Sequence, residues 1–219
     1  MKNALMMLVL LCGMVSSAFG GVSEVQFLNM GPSETSHIWG GGHTNLYVYS
    51  GVLNLNVNDQ PVPGFCVDLT KGVSSRSTSY RPISVEEYLG AGKAAYFTDL
   101  YTTYYTNNWT NAQASAFQLA VWEIVYEQLP KNSGMYDVTI DGSAGQGFFC
   151  TSSSSGMANS WLHLLDGSGP RVPVTILLSD SYQNFAVAIP EPATCFLVLS
   201  GLPLLIGRTQ IRRWLRVKA

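Results

Sequence analysis

The sequence predicts an α+β fold: an antiparallel β-sandwich or barrel with a helical insert, flanked by an N-terminal signal peptide and a short C-terminal membrane segment. Three observations predict it. Short alternating or apolar runs, bounded by turn residues, fill residues 21–69 and return after residue 172. From Ser84 the apolar spacing becomes helical, and two capping boxes appear in succession. Of the 219 residues, 47% are hydrophobic and 12% charged, which supplies a core and excludes a coiled coil or a charged disordered chain.

The first strands are 25–28, 46–49 and 52–57, with Ser50-Gly51 read as a turn between the last two. Asn58-Asp59-Gln60-Pro61 is a second turn, and Phe65-Cys66-Val67-Asp68-Leu69 a further short strand. Residues 70–82 are polar and read as a loop or an edge. Ser84 and Glu87 form the first capping box, opening a helical stretch that Gly90-Ala91-Gly92 interrupts and that runs on to Tyr104. Thr110 and Gln113 form the second. The helix it opens ends near Gln128, ahead of Pro130. Its broad apolar face (Ala114, Phe117, Ala120, Val121, Ile124) predicts burial. Residues 136–140 read as a strand, 141–147 as a Gly-rich loop and 155–165 as a short helix. Strands at 172–178 and 182–189 close the domain.

Charge is segregated along the chain. Residues 21–189 hold 13 acidic against 6 basic side chains, a net of −7. Phosphate backbones are repelled by such a body, so no nucleic-acid partner is expected. The other cations sit at the ends. Lys2 precedes the apolar run Ala4–Val15, and Ala18-Phe19-Gly20 places small residues for cleavage before Gly21. Residues 1–20 therefore read as a Sec-type secretory signal. At the other end, Pro190-Glu191-Pro192 leads into the apolar run Phe196–Ile206 and then a basic cluster from Arg208 to Lys218. A rigid turn, a short greasy segment and a cationic stop describe a segment that enters a membrane with its end held on the cytoplasmic side. Residues 190–216 resemble the PEP-CTERM sorting signal of Gram-negative bacteria. The resemblance implies transient anchoring in the inner membrane and processing by an exosortase-type enzyme. Release to the outer surface or an exopolysaccharide matrix would follow.

Within the body 21–189 only Cys66 and Cys150 remain, since Cys12 and Cys195 fall in the two end segments. In an oxidising compartment, two cysteines most often mean one disulfide. A second feature bears on Cys66. Gln118 stands in the apolar helix run Phe117-Gln118-Leu119-Ala120-Val121-Trp122, where a carboxamide is costly unless bonded or consumed. Gly64-Phe65-Cys66-Val67-Asp68 together with Gln118, Ala120 and Trp122 resembles the bacterial thioester domain of surface adhesins. Val121 stands where that family has Ile, and Phe117 where it has Thr. The resemblance implies an internal thioester between Cys66 and Gln118, with Phe65, Asp68 and Trp122 around it. It further implies transfer of the acyl group to an amine, such as that of a lysine, on a partner surface. Such a protein reacts once and is not a turnover enzyme. The alternative is a non-covalent structural or glycan-binding matrix protein stapled by a Cys66–Cys150 disulfide. Its candidate sugar platform is Trp109, Trp122, Trp161, Tyr101, Tyr104 and Tyr105.

Other chemistry is sparse. His37, His43 and His163 are too scattered for a metal site. Glu123 and Glu127, one helical turn apart, read as a solvated or tyrosine-bonded pair before a catalytic one. No phosphate loop, calcium loop or Gly-x-Ser-x-Gly motif is present, and no cofactor is expected.

Overall fold

A computed structural model describes residues 21–127, 136–140, 147–169 and 172–188. The predicted signal peptide (1–20), the sorting segment (190–216) and nearly all of the Gly-rich loop lie outside the described residues.

Seven strands form one antiparallel sheet: β1 (Ser23–Gly40), β2 (His43–Val57), β3 (Gln60–Cys66), β4 (Thr78–Ser84), β5 (Phe148–Thr151), β6 (Val174–Leu178) and β7 (Phe185–Ala188). The pairing runs β2-β3-β7-β6-β4-β1, and β1 pairs back onto β2. Six strands therefore close a ring, and the expected α+β barrel with a helical insert is the observed architecture. Closure leaves the ring no free edge. Strand β1 is longer than the ring needs. Its first residues pair with β4, and its far end, from His37 to Gly40, carries β5 instead.

The insert between β4 and β6 holds helices α1 (Val85–Leu89), α2 (Ala91–Tyr104), α3 (Asn111–Tyr126) and α4 (Ser155–Leu162). The second capping box forms in full and the first by half, since the Glu87 carboxylate pairs with Arg81 and does not return to Ser84. Ser84 Oγ accepts the Glu87 N–H at 3.0 Å, and Thr110 with Gln113 forms the reciprocal pair that opens α3. Gly90, at φ 76°, makes the predicted break between α1 and α2. Every residue of α3 from Ala114 to Ile124 is buried. A helix buried on all sides is the centre of the insert, and it packs on β1, β2, β3, β5 and α4.

Four local expectations are corrected. Ser50-Gly51 is not a turn but the middle of β2. A Cβ on Gly51 would stand 2.3 Å from the Pro32 carbonyl oxygen, so this glycine serves the close approach of β1 and not a reversal. Ser50 is buried, and its hydroxyl links those of Ser36 and Ser115 at 2.6 Å each, tying both strands to α3. Residues 29–40 are strand. Register shifts between Phe27 and Asn29, Met30 and Ser33, and Ile38 and Gly40 hide the two-residue alternation. Residues 78–84, partly read as loop, are β4. Residues 136–140 are turn, not strand. The Asp137 carboxylate accepts from both the N–H and the hydroxyl of Thr139, which curls the chain. The strand in this region is β5, too short to announce itself.

The aromatic residues that read as a sugar platform are mostly core. Tyr101, Tyr105, Trp109 and Phe117 surround the fully buried Phe65, with ring centroids 4.6–6.5 Å from it. Trp122 is also buried. Tyr104, Tyr105, Trp109 and Trp161 are half-buried and pack against the core, with Tyr104 stacked on Trp161 at 4.8 Å. No helix among the described residues is long and apolar enough to cross a membrane.

Candidate functional site

Cys66 is the last residue of β3. On one side it pairs with Phe185 of β7. On the other, the ladder with β2 has already ended at Gly64. The backbone groups of Cys66 on that side need partners, because the residue is buried. Gln118 supplies both. Its Oε1 accepts the Cys66 N–H at 2.8 Å, and its Nε2 donates to the Cys66 carbonyl oxygen at 2.8 Å. One carboxamide thus takes the place of a strand. The cost of burying an amide in an apolar helix is met in full, and residues 52 apart in sequence are brought together. Cys66 is 3% exposed and Gln118 1%.

The Cys66 thiol donates to the Asp68 carbonyl oxygen at 3.2 Å. Burial pushes its pKa from an ordinary 9.0 up to about 12, outweighing the nearby donors Trp122 and Gln183, which favour the thiolate. Trp122 lies one helical turn beyond Gln118. Its indole N–H is buried, approaches the sulfur, and makes no hydrogen bond of good geometry. A donor left open beside a sulfur is unusual, because most buried donors are paired.

The loop after Cys66 is tied from several directions. Val67 N–H donates to the Asn184 carbonyl, Tyr88 Oη donates to the Val67 carbonyl, and Leu69 N–H donates to Tyr126 Oη at 2.6 Å. Gln183 Nε2 donates to the Asp68 carbonyl at 3.1 Å. The Asp68 carboxylate makes its hydrogen bonds elsewhere, although its charge also helps to keep the thiol protonated. It accepts from Thr70 and from Asn184 Nδ2, and Lys71 stands 3.6 Å from it. Burial also raises the pKa of Tyr88 and Tyr126.

The five sequence candidates divide accordingly. Cys66, Gln118 and Trp122 meet. Asp68 bonds the thiol through its backbone carbonyl, and its carboxylate acts on the sulfur through charge alone. Phe65 lies on the other face of β3, as strand alternation requires, within the aromatic cluster. Tyr126, Gln183 and Asn184 join the site without having been candidates. Tyr126 continues the four-residue spacing from Gln118 and Trp122, a readable signal. Gln183 and Asn184 fall inside the strand read at 182–189, where they look like ordinary polar strand residues; the strand begins only at Phe185. The alternative Cys66–Cys150 bridge is not formed. Both thiols are free, and the Cys150 sulfur lies 3.3 Å from Ser155 Oγ at the start of α4. Strand β5, which carries Cys150, is not a neighbour of β3. Glu123 and Glu127 accept the backbone N–H groups of Asp137 and Phe148 and so act as chain ties.

Two buried thiols make stability depend on pH. Cys66 and Cys150 are both pushed up to about 12. Between pH 9 and 12 the unfolded chain releases these protons and the folded chain keeps them. The folded state then binds more protons, and stability falls as pH rises. In Gln118→Ala, where no thioester can form and both thiols stay free, denaturant melts from pH 7 to 11 are expected to show a loss beginning near pH 9. Adding Cys66→Ala and Cys150→Ala should reduce that slope. An equal slope in the variant would assign it to the buried tyrosines alone.

Comparison with known proteins returns no matching family model and no matching curated protein. Among solved structures the chain is similar to the N-terminal thioester domain of fibronectin-binding protein SfbI from Streptococcus pyogenes. The identity is 15% and the TM-score 0.41, over 76% of this chain and 98% of that one. It is also similar to the N-terminal domain of the Streptococcus pyogenes pilus tip adhesin Cpa, at 14% identity and a TM-score of 0.41, with the same coverage. At these scores neither likeness carries weight by itself. The contacts around Cys66 bear the weight instead.

Proposed function

We propose that the protein is an exported surface or matrix adhesin that attaches covalently through an internal thioester between Cys66 and Gln118. Export by residues 1–20 and sorting by the segment at 190–216, with an exosortase-type enzyme as processing partner, belong to the same reading. The observation that carries it is the two-point clamp of the Gln118 carboxamide on the backbone of the residue bearing the thiol.

The chemistry balances. The Cys66 sulfur attacks the Gln118 carboxamide carbon, a C–S bond forms, and the C–N bond breaks. The thiol proton leaves with the departing nitrogen as ammonia. A thiol held near pKa 12 is protonated at neutral pH, so the proton must move as the sulfur attacks. Amide attack by a thiol is slow in water. The clamp of Gln118 on the backbone of Cys66 would supply the effective concentration that two free groups lack. Burial excludes the water that would hydrolyse the product. An amine on a partner surface then attacks the acyl carbon, a new amide forms, and Cys66 recovers its proton.

The open Trp122 N–H has a role in both steps, as the donor that meets negative charge developing on the sulfur. Trp122→Phe keeps the ring and removes that donor. Thioester aminolysis is expected to slow by about 10²-fold, the usual effect of one transition-state donor. Stability should hold or rise, since an unpaired buried donor is gone. Single-turnover kinetics with methylamine measure the rate. An unchanged rate would remove Trp122 from the mechanism.

A further inference from the structure

We infer that the outward face of the β1–β2–β5 extension is a binding site for a neutral glycan, built from residues other than those of the Cys66 site. Three strands meet there beyond the ring. Ser36, Ile38, Ser50, Phe148 and Cys150 point inward and are buried, so the alternate residues form the outer face. Five of those are rings. His37 stacks on Tyr47 across the strands at 4.3 Å with planes 2° apart, and Trp39 sits 4.0 Å from His37 and 5.0 Å from Phe149. Tyr49 lies two residues along from Tyr47. Tyr47 and Tyr49 are 69% and 68% exposed.

This arrangement is not explained by the core. Two largely exposed tyrosines beside a half-buried tryptophan expose apolar area that a folded domain ordinarily hides or uses. The polar groups among the rings narrow the class of ligand. Asn45, at φ 65°, bonds His37 Nε2 through its Oδ1, which fixes the imidazole and leaves the amide nitrogen as a donor. Thr35 pairs with Tyr49, and Thr151 with His37, so hydroxyls alternate with rings. Among the described residues no Asp, Glu, Lys or Arg stands on this face, although residues 21–189 carry 19 such side chains. A charged polymer finds no counter-charge there. An apolar protein segment would leave the hydroxyls and the amide unpaired. A pyranose chain presents apolar C–H faces to rings and hydroxyls to Asn and Thr, and so matches both halves of the surface.

The test is native affinity electrophoresis of the full chain through gels holding hydroxyethylcellulose, galactomannan or dextran, with alginate as the anionic comparison. Retardation is expected in at least one neutral polysaccharide and not in alginate alone. The Trp39→Ala, Tyr47→Ala double variant should weaken it at least ten-fold with an unchanged circular dichroism spectrum, and Tyr47→Phe should keep it. Cys66→Ala should also keep it, so failure of the thioester reading leaves this one standing. Free migration in all three neutral gels overturns the inference, as does retardation that survives the double variant. Sedimentation showing a dimer that the double variant dissolves would also overturn it, by making a second copy the occupant.

Discussion

The purified chain is expected to weigh one ammonia less than its sequence requires, and this deficit should vanish in Cys66→Ala and in Gln118→Ala. Digestion should yield a single cross-linked peptide pair joining the strand containing Cys66 to helix α3. Incubation with methylamine should place the methylamide on Gln118 and release one titratable thiol. In both variants covalent capture of any amine should fall to background. The effect is all-or-none because, of the two described cysteines, Cys66 is the one whose backbone a helix carboxamide clamps, while the Cys150 sulfur lies against the Ser155 hydroxyl. A deficit of two hydrogens with no loss of ammonia means a disulfide, and the covalent reading is then wrong. Gln118→Glu adds a control. It preserves the acceptor for the Cys66 N–H but replaces the donor that meets the Cys66 carbonyl, so the fold is perturbed at one point while ammonia release is impossible.

Phe65→Ala is expected to cost about 3–5 kcal/mol, the range for emptying a large aromatic site in a packed core. Phe65 is fully buried, and four rings converge on it from α2, α3 and the segment between them. These rings are what hold α3 against the end of β3. Urea denaturation measures the loss as a shifted midpoint at constant slope. A shift below about 1 kcal/mol would mean that the site collapses freely around the missing ring and does not anchor the helix. The same variant separates packing from chemistry. In the fraction that stays folded, the ammonia deficit should persist, because Phe65 does not approach the sulfur.

Much of this fold can be read in the sequence where a single residue imposes a local constraint. Ser84 and Thr110 open helices where expected because N-cap hydrogen bonding is local. Asn58 and Asp59, both at positive φ, make the predicted hairpin turn for the same reason. What cannot be read depends on partners far away in sequence. The second half of β1 carries register shifts that only its pairing with β2 explains. Gly51 has the signature of a turn, and its true cause, the backbone at Pro32, lies across the sheet. Residues 136–140 have strand composition, but the side chain of Asp137 competes for the backbone and wins. The site follows the same division. Gln118 is visible because a carboxamide in an apolar helix must have a reason. The loop ties from Gln183 and Asn184 are not, because polar residues inside a predicted strand are ordinary.

The Cys66 backbone is shared between Phe185 on one side and the Gln118 carboxamide on the other. This has a mechanical meaning. Tension applied at Ala188 and resisted at Gln118 has a short route through β7 and the tip of β3 to α3. The three residue pairs joining β7 to β3 lie side by side along that path. They bear the load together, in shear, and do not unzip one at a time. If the chain attaches through Gln118 as proposed, a pull from its carboxyl end would reach the attachment point by this short path, with β6 sharing the load through β7.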